Sequence, residues 1–197
     1  MSKSDPASAK RERNKQIRWV IIIFLVTIAV SATITFASDE IMSASSMPVA
    51  FIILFLIIVI GIVFDIVGVA VTSADEKPFH SMAARKVRGA QEAIRLLRNA
   101  ERVGSICNDV VGDICGVVSG AASATIAAQI VSNFSFTMPQ IVSLAMSALA
   151  AGVTVGGKAM GKSFAIHSCT KIVHRTGKVI WLFTNIPQKL REKKNKR

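Results

Sequence analysis

From Ile114 to Gly157 the sequence runs for 44 residues without one charged side chain. Two other stretches behave almost the same way: Trp19 to Ser38 carries no charge, and Ile41 to Ala74 carries only Asp65. A helix needs about 20 apolar residues to cross the roughly 30 Å hydrocarbon layer of a bilayer. Backbone polar groups in lipid must be satisfied within the segment, so such runs predict helices. They exclude a soluble domain and define an all-α membrane protein.

A basic stretch precedes the first run, as in a secretory signal, but the apolar core exceeds the roughly 7 to 15 residues of such signals, so it is read as a retained helix. The last run is too long for one crossing and is broken by Asn133-Phe-Ser-Phe-Thr-Met-Pro139, which has the Ser, Asn and Pro of a turn. Four spans are predicted, at about 18–37, 48–73, 104–132 and 139–165, with Pro48 and Pro139 in the first turns of their helices.

Charge between the spans sets the orientation. Residues 1–18 are net +4, Ala37 to Pro48 net −2, residues 75–103 net +3, and residues 158–197 net +10, while 133–138 carry no charge. Cytoplasmic segments are rich in Lys and Arg. The alternation puts both termini in the cytoplasm and suits a plasma (inner) membrane, with Trp19 and Trp181 at the cytoplasmic headgroup layer. Residues 1–17 and 186–197 are basic tails, attracted to anionic lipid rather than to nucleic acid.

Between the second and third spans, Val87, Ala90, Ile94 and Leu97 recur at helical spacing against an Arg-rich face. An amphipathic interfacial helix is predicted at about 80–101, and a less regular one at about 166–184, lying on the bilayer or on a regulatory protein partner. Cys107, Cys115 and Cys169 are an odd number with no zinc spacing and are expected to be free thiols. His80, His167 and His174 have no nucleophile or metal constellation around them, which argues against an enzyme.

Ionisable groups inside a span are costly and point to a site. Asp65 interrupts the second span; Asp109 and Asp113, four apart, share a face of the third, beside Asn108; Thr72 and Ser73 add oxygens about two turns from Asp65. Carboxylates with amide and hydroxyl oxygens are the ligand set of a hard cation such as magnesium. Lys158 and Lys162, four apart on the last span, supply the other reading: Asp113 with Lys158 and Asp109 with Lys162 neutralise one another as a structural ion network. Gly112, Gly116 and Gly120 recur every fourth residue, and Gly152, Gly156, Gly157 and Gly161 do so more loosely, ridges that serve packing within the chain or in a dimer. Gly156-Gly-Lys-Ala-Met-Gly161-Lys162-Ser163 satisfies the phosphate-loop pattern but follows a membrane span instead of a strand, so nucleotide hydrolysis is not expected.

From the second span onward, the order of elements resembles the transmembrane domain of the CNNM (cyclin M) and CorB/CorC magnesium transporter family. Val63-Phe-Asp-Ile-Val-Gly-Val-Ala-Val-Thr-Ser73 is similar to its F-F-S-A-S-E-T-A-L-T-S signature, and Gly89-Ala-Gln-Glu-Ala-Ile-Arg-Leu-Leu-Arg-Asn-Ala-Glu-Arg102 to G-A-x-x-A-L-x-L-L-x-N-P-E-R. Asn108 to Gly116 stands at its Gly/Asn-rich helix start, and Gly157-Lys-Ala-Met-Gly-Lys-Ser-Phe-Ala165 resembles G-E-x-x-P-K-T-L-A. The resemblance covers about residues 48–185 and leaves the first helix as an addition. It implies a homodimer, a juxtamembrane belt and a magnesium ion held by polar groups of the spans: Asp65 with Thr72 or Ser73, and Asn108 with Asp109 or Asp113. Gly68 and Lys158 stand where the family has glutamates, and Gly161 where it has proline. The stretch after Asn185 is read as too short and basic for the nucleotide-sensing CBS pair that follows this module in the family. Two functions are therefore expected in competition. One is divalent-cation binding or transport; the other is a non-transporting membrane subunit or regulator.

Overall fold

The computed structural model describes residues 6–134 and 138–194. They are almost entirely helical, with no strand among them. The long helices are α1 (Pro6–Ser43), α2 (Met47–Ser73), α6 (Gly112–Phe134), α7 (Pro139–His167) and α8 (Cys169–Lys194). Short helices α3 (Lys77–Ala84), α4 (Ala90–Arg98) and α5 (Ala100–Ser105) link α2 to a π-helical segment, Ile106–Val111, which runs straight into α6. Four helices are long and apolar enough to cross a membrane: Gln16–Ser43, Met47–Ser73, Ala100–Phe134 and Pro139–His167. The chain is a multi-pass membrane protein.

Glycines fix how these helices meet. Gly61 of α2 faces Cys115, Gly68 faces Asn108, and Thr72 faces Gly104 of α5, so numbers rise on α2 as they fall on its antiparallel neighbour. Gly157 and Gly161 of α7 seat Ile62 and Ile66 of α2, with numbers rising together, so α7 runs parallel to α2 on its other side. Small residues let backbones approach in lipid, where packing rather than water exclusion holds helices together. Helix α1 docks chiefly on α6, near its own last turns: Met42 is fully buried there, and Gln129 Nε2 donates to its carbonyl at 2.8 Å. The rest of α1 presents Ile17, Phe24, Leu25 and Phe36 outward.

Two apolar clusters result. One, at the end we call the belt, joins Val69, Ala70 and Val71 to Phe79, Ala93, Ala165 and Val173. The other, at the far end, joins Met42 to Ala50, Leu54, Ile58, Ala122 and Ile126.

Several sequence expectations are corrected here. The first span was expected to stop at 37, before Asp39 and Glu40, yet α1 continues to Ser43 because Asp39 finds a donor in Thr125 Oγ1 at 3.2 Å and Met42 fills the far cluster. The basic stretches 1–17 and 186–197 are helical where described: α1 starts with Pro6 in its first turn, and α8 continues to Lys194. Lys, Arg and Glu in both, with Ala in the first, are strong helix formers. The single interfacial helix expected at 80–101 is two helices, α3 and α4, because Lys86 and Gly89 adopt positive φ (56° and 84°) between them. Val87 stays exposed, whereas Ala90 and Ala93 are buried, and Gly89 and Ala93 pack against Gly177 of α8. This belt is therefore built on α2 and α8. It is a packed layer of the fold.

Gly89 shows how closely. A Cβ there would lie 2.6 Å from the Lys178 Cα, and its left-handed backbone alone penalises any L side chain by about 1–2 kcal/mol. Gly89→Ala is expected to release α4 from α8, read as faster hydrogen exchange over 90–98 with little change in α6.

The turn expected at 133–139 lies partly at 135–137, outside the described residues; Pro139 opens α7 as expected. Within α7, the phosphate-loop-like stretch Gly156 to Ser163 is continuous helix, so its amides are engaged along the backbone and cannot cradle phosphate.

Candidate functional site

The polar residues of the spans lie between the two apolar clusters. Counting 1.5 Å per residue, Asp65 is about 27 Å from the start of α2, Asp113 about 31 Å from the end of α6, and Lys158 about 29 Å from the start of α7. The three share one depth, close to the belt end of a 30 Å hydrocarbon layer.

On α2, Leu54, Ile58, Gly61, Asp65, Gly68 and Thr72 follow 3,4 spacing, so Asp65 belongs to the stripe that faces α6. It is half-buried, and among the described residues it has no hydrogen bond or ion pair. Three residues on, Gly68 makes room for the neighbouring helix. A Cβ at 68 would overlap Asn108 Oδ1 and approach the Cys107 Cβ to 3.0 Å. Asn108 Oδ1 is itself buried and accepts no hydrogen bond. The π-helical turn positions it: the Gly112 amide reaches back five residues to the Cys107 carbonyl, so this turn is wider than an α-helical one. Thr72 Oγ1, one turn beyond Gly68, donates to the Gly68 and Val69 carbonyls at 3.1 and 3.0 Å and keeps its lone pairs.

Lys158 enters from α7. Its Nζ donates to the Gly112 carbonyl at 3.3 Å, and a Cβ at 112 would come within 3.3 Å of the same ammonium. The expected partnership with Asp113 is not formed, nor is that of Asp109 with Lys162; among the described residues Glu76 pairs with Arg98 at 3.1 Å and lies 3.3 Å from His80 Nε2. Asp113 is exposed on α6, facing the groove between α6 and α7, while Asp109, Lys162 and Ser73 are exposed on other faces near the belt. The expected residues thus separate into three groups: Asp65, Asn108 and Thr72 along the α2–α6 seam; Asp113 and Lys158 on the α6–α7 groove; and Ser73, Asp109 and Lys162 outside both.

Removing the ammonium leaves the Gly112 carbonyl without this donor. Lys158→Met is expected to lower stability by about 1–2 kcal/mol, the scale of a hydrogen bond from a charged group, in a reversible detergent-unfolding titration.

The sequence reading placed Gly112 on a packing ridge but did not single out Gly68 as the room for Asn108, nor Gln129. Gln129 Oε1 is buried without a donor against α1, at the far end of α6. An amide inside an uncharged run was the available signal. Among the described residues no three His, Cys, Asp or Glu side chains gather as a metal cluster, so any cation here is held largely by amide and hydroxyl oxygens beside Asp65. Compared with protein-family models, curated proteins and solved structures, the chain matches none.

Proposed function

We propose that this protein binds a divalent cation of the magnesium type, its cargo, in the seam between α2 and the π-helical turn. The observation that carries the reading is a pair of acceptors with no donor: the Asp65 carboxylate and the buried Asn108 Oδ1, about one helical turn apart. Unsatisfied oxygens at membrane depth are costly, and a hard cation is the ligand that satisfies both kinds at once. Retained water completes the set of hard oxygen ligands, and Thr72 Oγ1, one turn further along the seam, is placed to hold such a water. Resemblance to the CNNM and CorB/CorC magnesium transporters points the same way, and with it go cytoplasmic termini in a plasma membrane. A homodimer is also implied, for which Gly152 and Gly156 of α7 offer a face with open space where a Cβ would stand.

The test is magnesium flux into proteoliposomes. Wild type is expected to carry magnesium down its gradient, and Asp65→Asn to abolish the flux. Flux equal in both would remove the seam from the account.

Lys158 supports a second reading, a non-transporting subunit or regulator. Its ammonium lies on the Gly112 carbonyl, one turn from Asn108, and there stands in for an ion. The readings part at Lys158→Met. If the lysine competes with a bound ion, its loss tightens magnesium binding by about tenfold; if it replaces the ion, wild type binds none and only the variant does.

A further inference from the structure

Between α6 and α7 lies an open groove of about 490 Å³. We infer that it is a binding site for one phosphatidylethanolamine molecule of the leaflet at the belt end, its ammonium on Asp113, its phosphate on Lys158 and one acyl chain along the small residues beyond.

Charge complementarity carries the headgroup assignment. Asp113 and Lys158 line the same end of the groove without forming an ion pair, so it offers one acid and one base held apart. An anionic headgroup would meet Asp113 unfavourably, and a choline headgroup has no N–H to give a carboxylate. Ethanolamine has three N–H donors beside a phosphate, which matches both ends of the pair. Depth agrees, since both residues stand near the hydrocarbon boundary, where a headgroup resides.

The groove also has the right length and surface. From Lys158 to Ser147 is eleven residues of helix, about 16 Å, against about 15 Å for one leaflet's half of a 30 Å hydrocarbon layer. Gly116 and Gly120 form its floor on α6, and a Cβ on either would meet nothing within 4 Å. Their ridge was one expected to serve packing; among the described residues nothing meets it at Gly116 or Gly120. Two of the three hydroxyls along the walls are engaged by their own helices, Ser119 donating to the Gly116 carbonyl at 2.9 Å and Thr154 to the Ala150 carbonyl at 2.7 Å, and the third, Ser147, stands at the end far from Lys158. What remains is a largely apolar channel with a zwitterionic mouth.

This inference does not rest on the cation reading, because its readout is lipid, measured without magnesium. The full chain, delipidated in detergent, is titrated with dioleoyl phosphatidylethanolamine, phosphatidylcholine or phosphatidylglycerol, and bound lipid is counted by native mass spectrometry. Wild type is expected to bind the ethanolamine lipid about tenfold more tightly than either of the others. Asp113→Asn should bring it down to the choline lipid's level, and Lys158→Met should weaken all three. Gly120→Leu, which fills the channel, should eliminate the bound lipid while leaving the melting temperature unchanged. Equal binding of the three lipids by wild type would overturn the proposal, as would a Gly120→Leu chain that keeps its lipid. So would disulfide cross-linking of Gly120→Cys chains, which would show that a second copy fills the groove.

Discussion

Gly68→Leu is expected to be among the most damaging single changes in the membrane region. Asn108 and Cys107 already occupy the space into which a side chain at 68 would grow, and the carbon nearest it belongs to the opposing helix's side chains, held in place by the π turn. Overpacking a tight contact usually costs about 1–3 kcal/mol, and here the branched chain must separate two membrane helices along the whole seam, so a loss of about 3 kcal/mol or more is expected. The control is Gly120→Leu, on the same class of ridge but facing open space, with an expected change within about 0.5 kcal/mol. Reversible unfolding in mixed micelles measures both. Equal losses would mean that α2 and the π-helical turn do not meet at Gly68.

Asp65→Asn is expected to separate function from stability. The carboxylate is half-buried and among the described residues has no counter-charge, so its neutral amide should leave the fold as stable as wild type or more stable by about 1 kcal/mol. Cation affinity should fall at least tenfold, because the one formal negative charge of the seam is gone. A residue kept at a cost to stability and needed for binding is the pattern of a functional site. Thermal unfolding with and without magnesium reads both effects: the ion should raise the wild-type midpoint and leave that of the variant where it was. A variant that simply melts earlier would assign Asp65 a structural part.

Much of the architecture was legible because lipid leaves a chain few options. Uncharged runs of 20 residues and more fixed four spans, and Pro48 and Pro139 located two of their starts. Less legible was anything decided by a neighbour. Asp39 and Glu40 read as the end of a helix until Thr125 and Gln129 are seen to receive the last turns of α1. Glycine spacing showed where helices could approach, yet Gly61, Gly157 and Gly161 are used within the chain while Gly116, Gly120, Gly152 and Gly156 are not, a difference of rotation about the helix axis. The break between α3 and α4 depends on positive φ at Gly89, which glycine permits, and at Lys86, a residue that carries no turn signal. The π turn has no composition of its own either. Asn108 within it is turned toward α2, and Asp113 beyond it lines the groove. Among the described residues the acids and lysines that sequence spacing paired do not pair.

The central claim is that Asp65 and Asn108 are two ligands of one cation site. The most direct measurement is a calorimetric titration of magnesium into the full chain in nanodiscs, with Asp65→Asn and Asn108→Leu beside wild type. Saturable heat from one site in wild type, weakened at least tenfold in each variant, is the predicted result. Binding that survives both substitutions, or wild type that takes up no ion while Lys158→Met does, would contradict it.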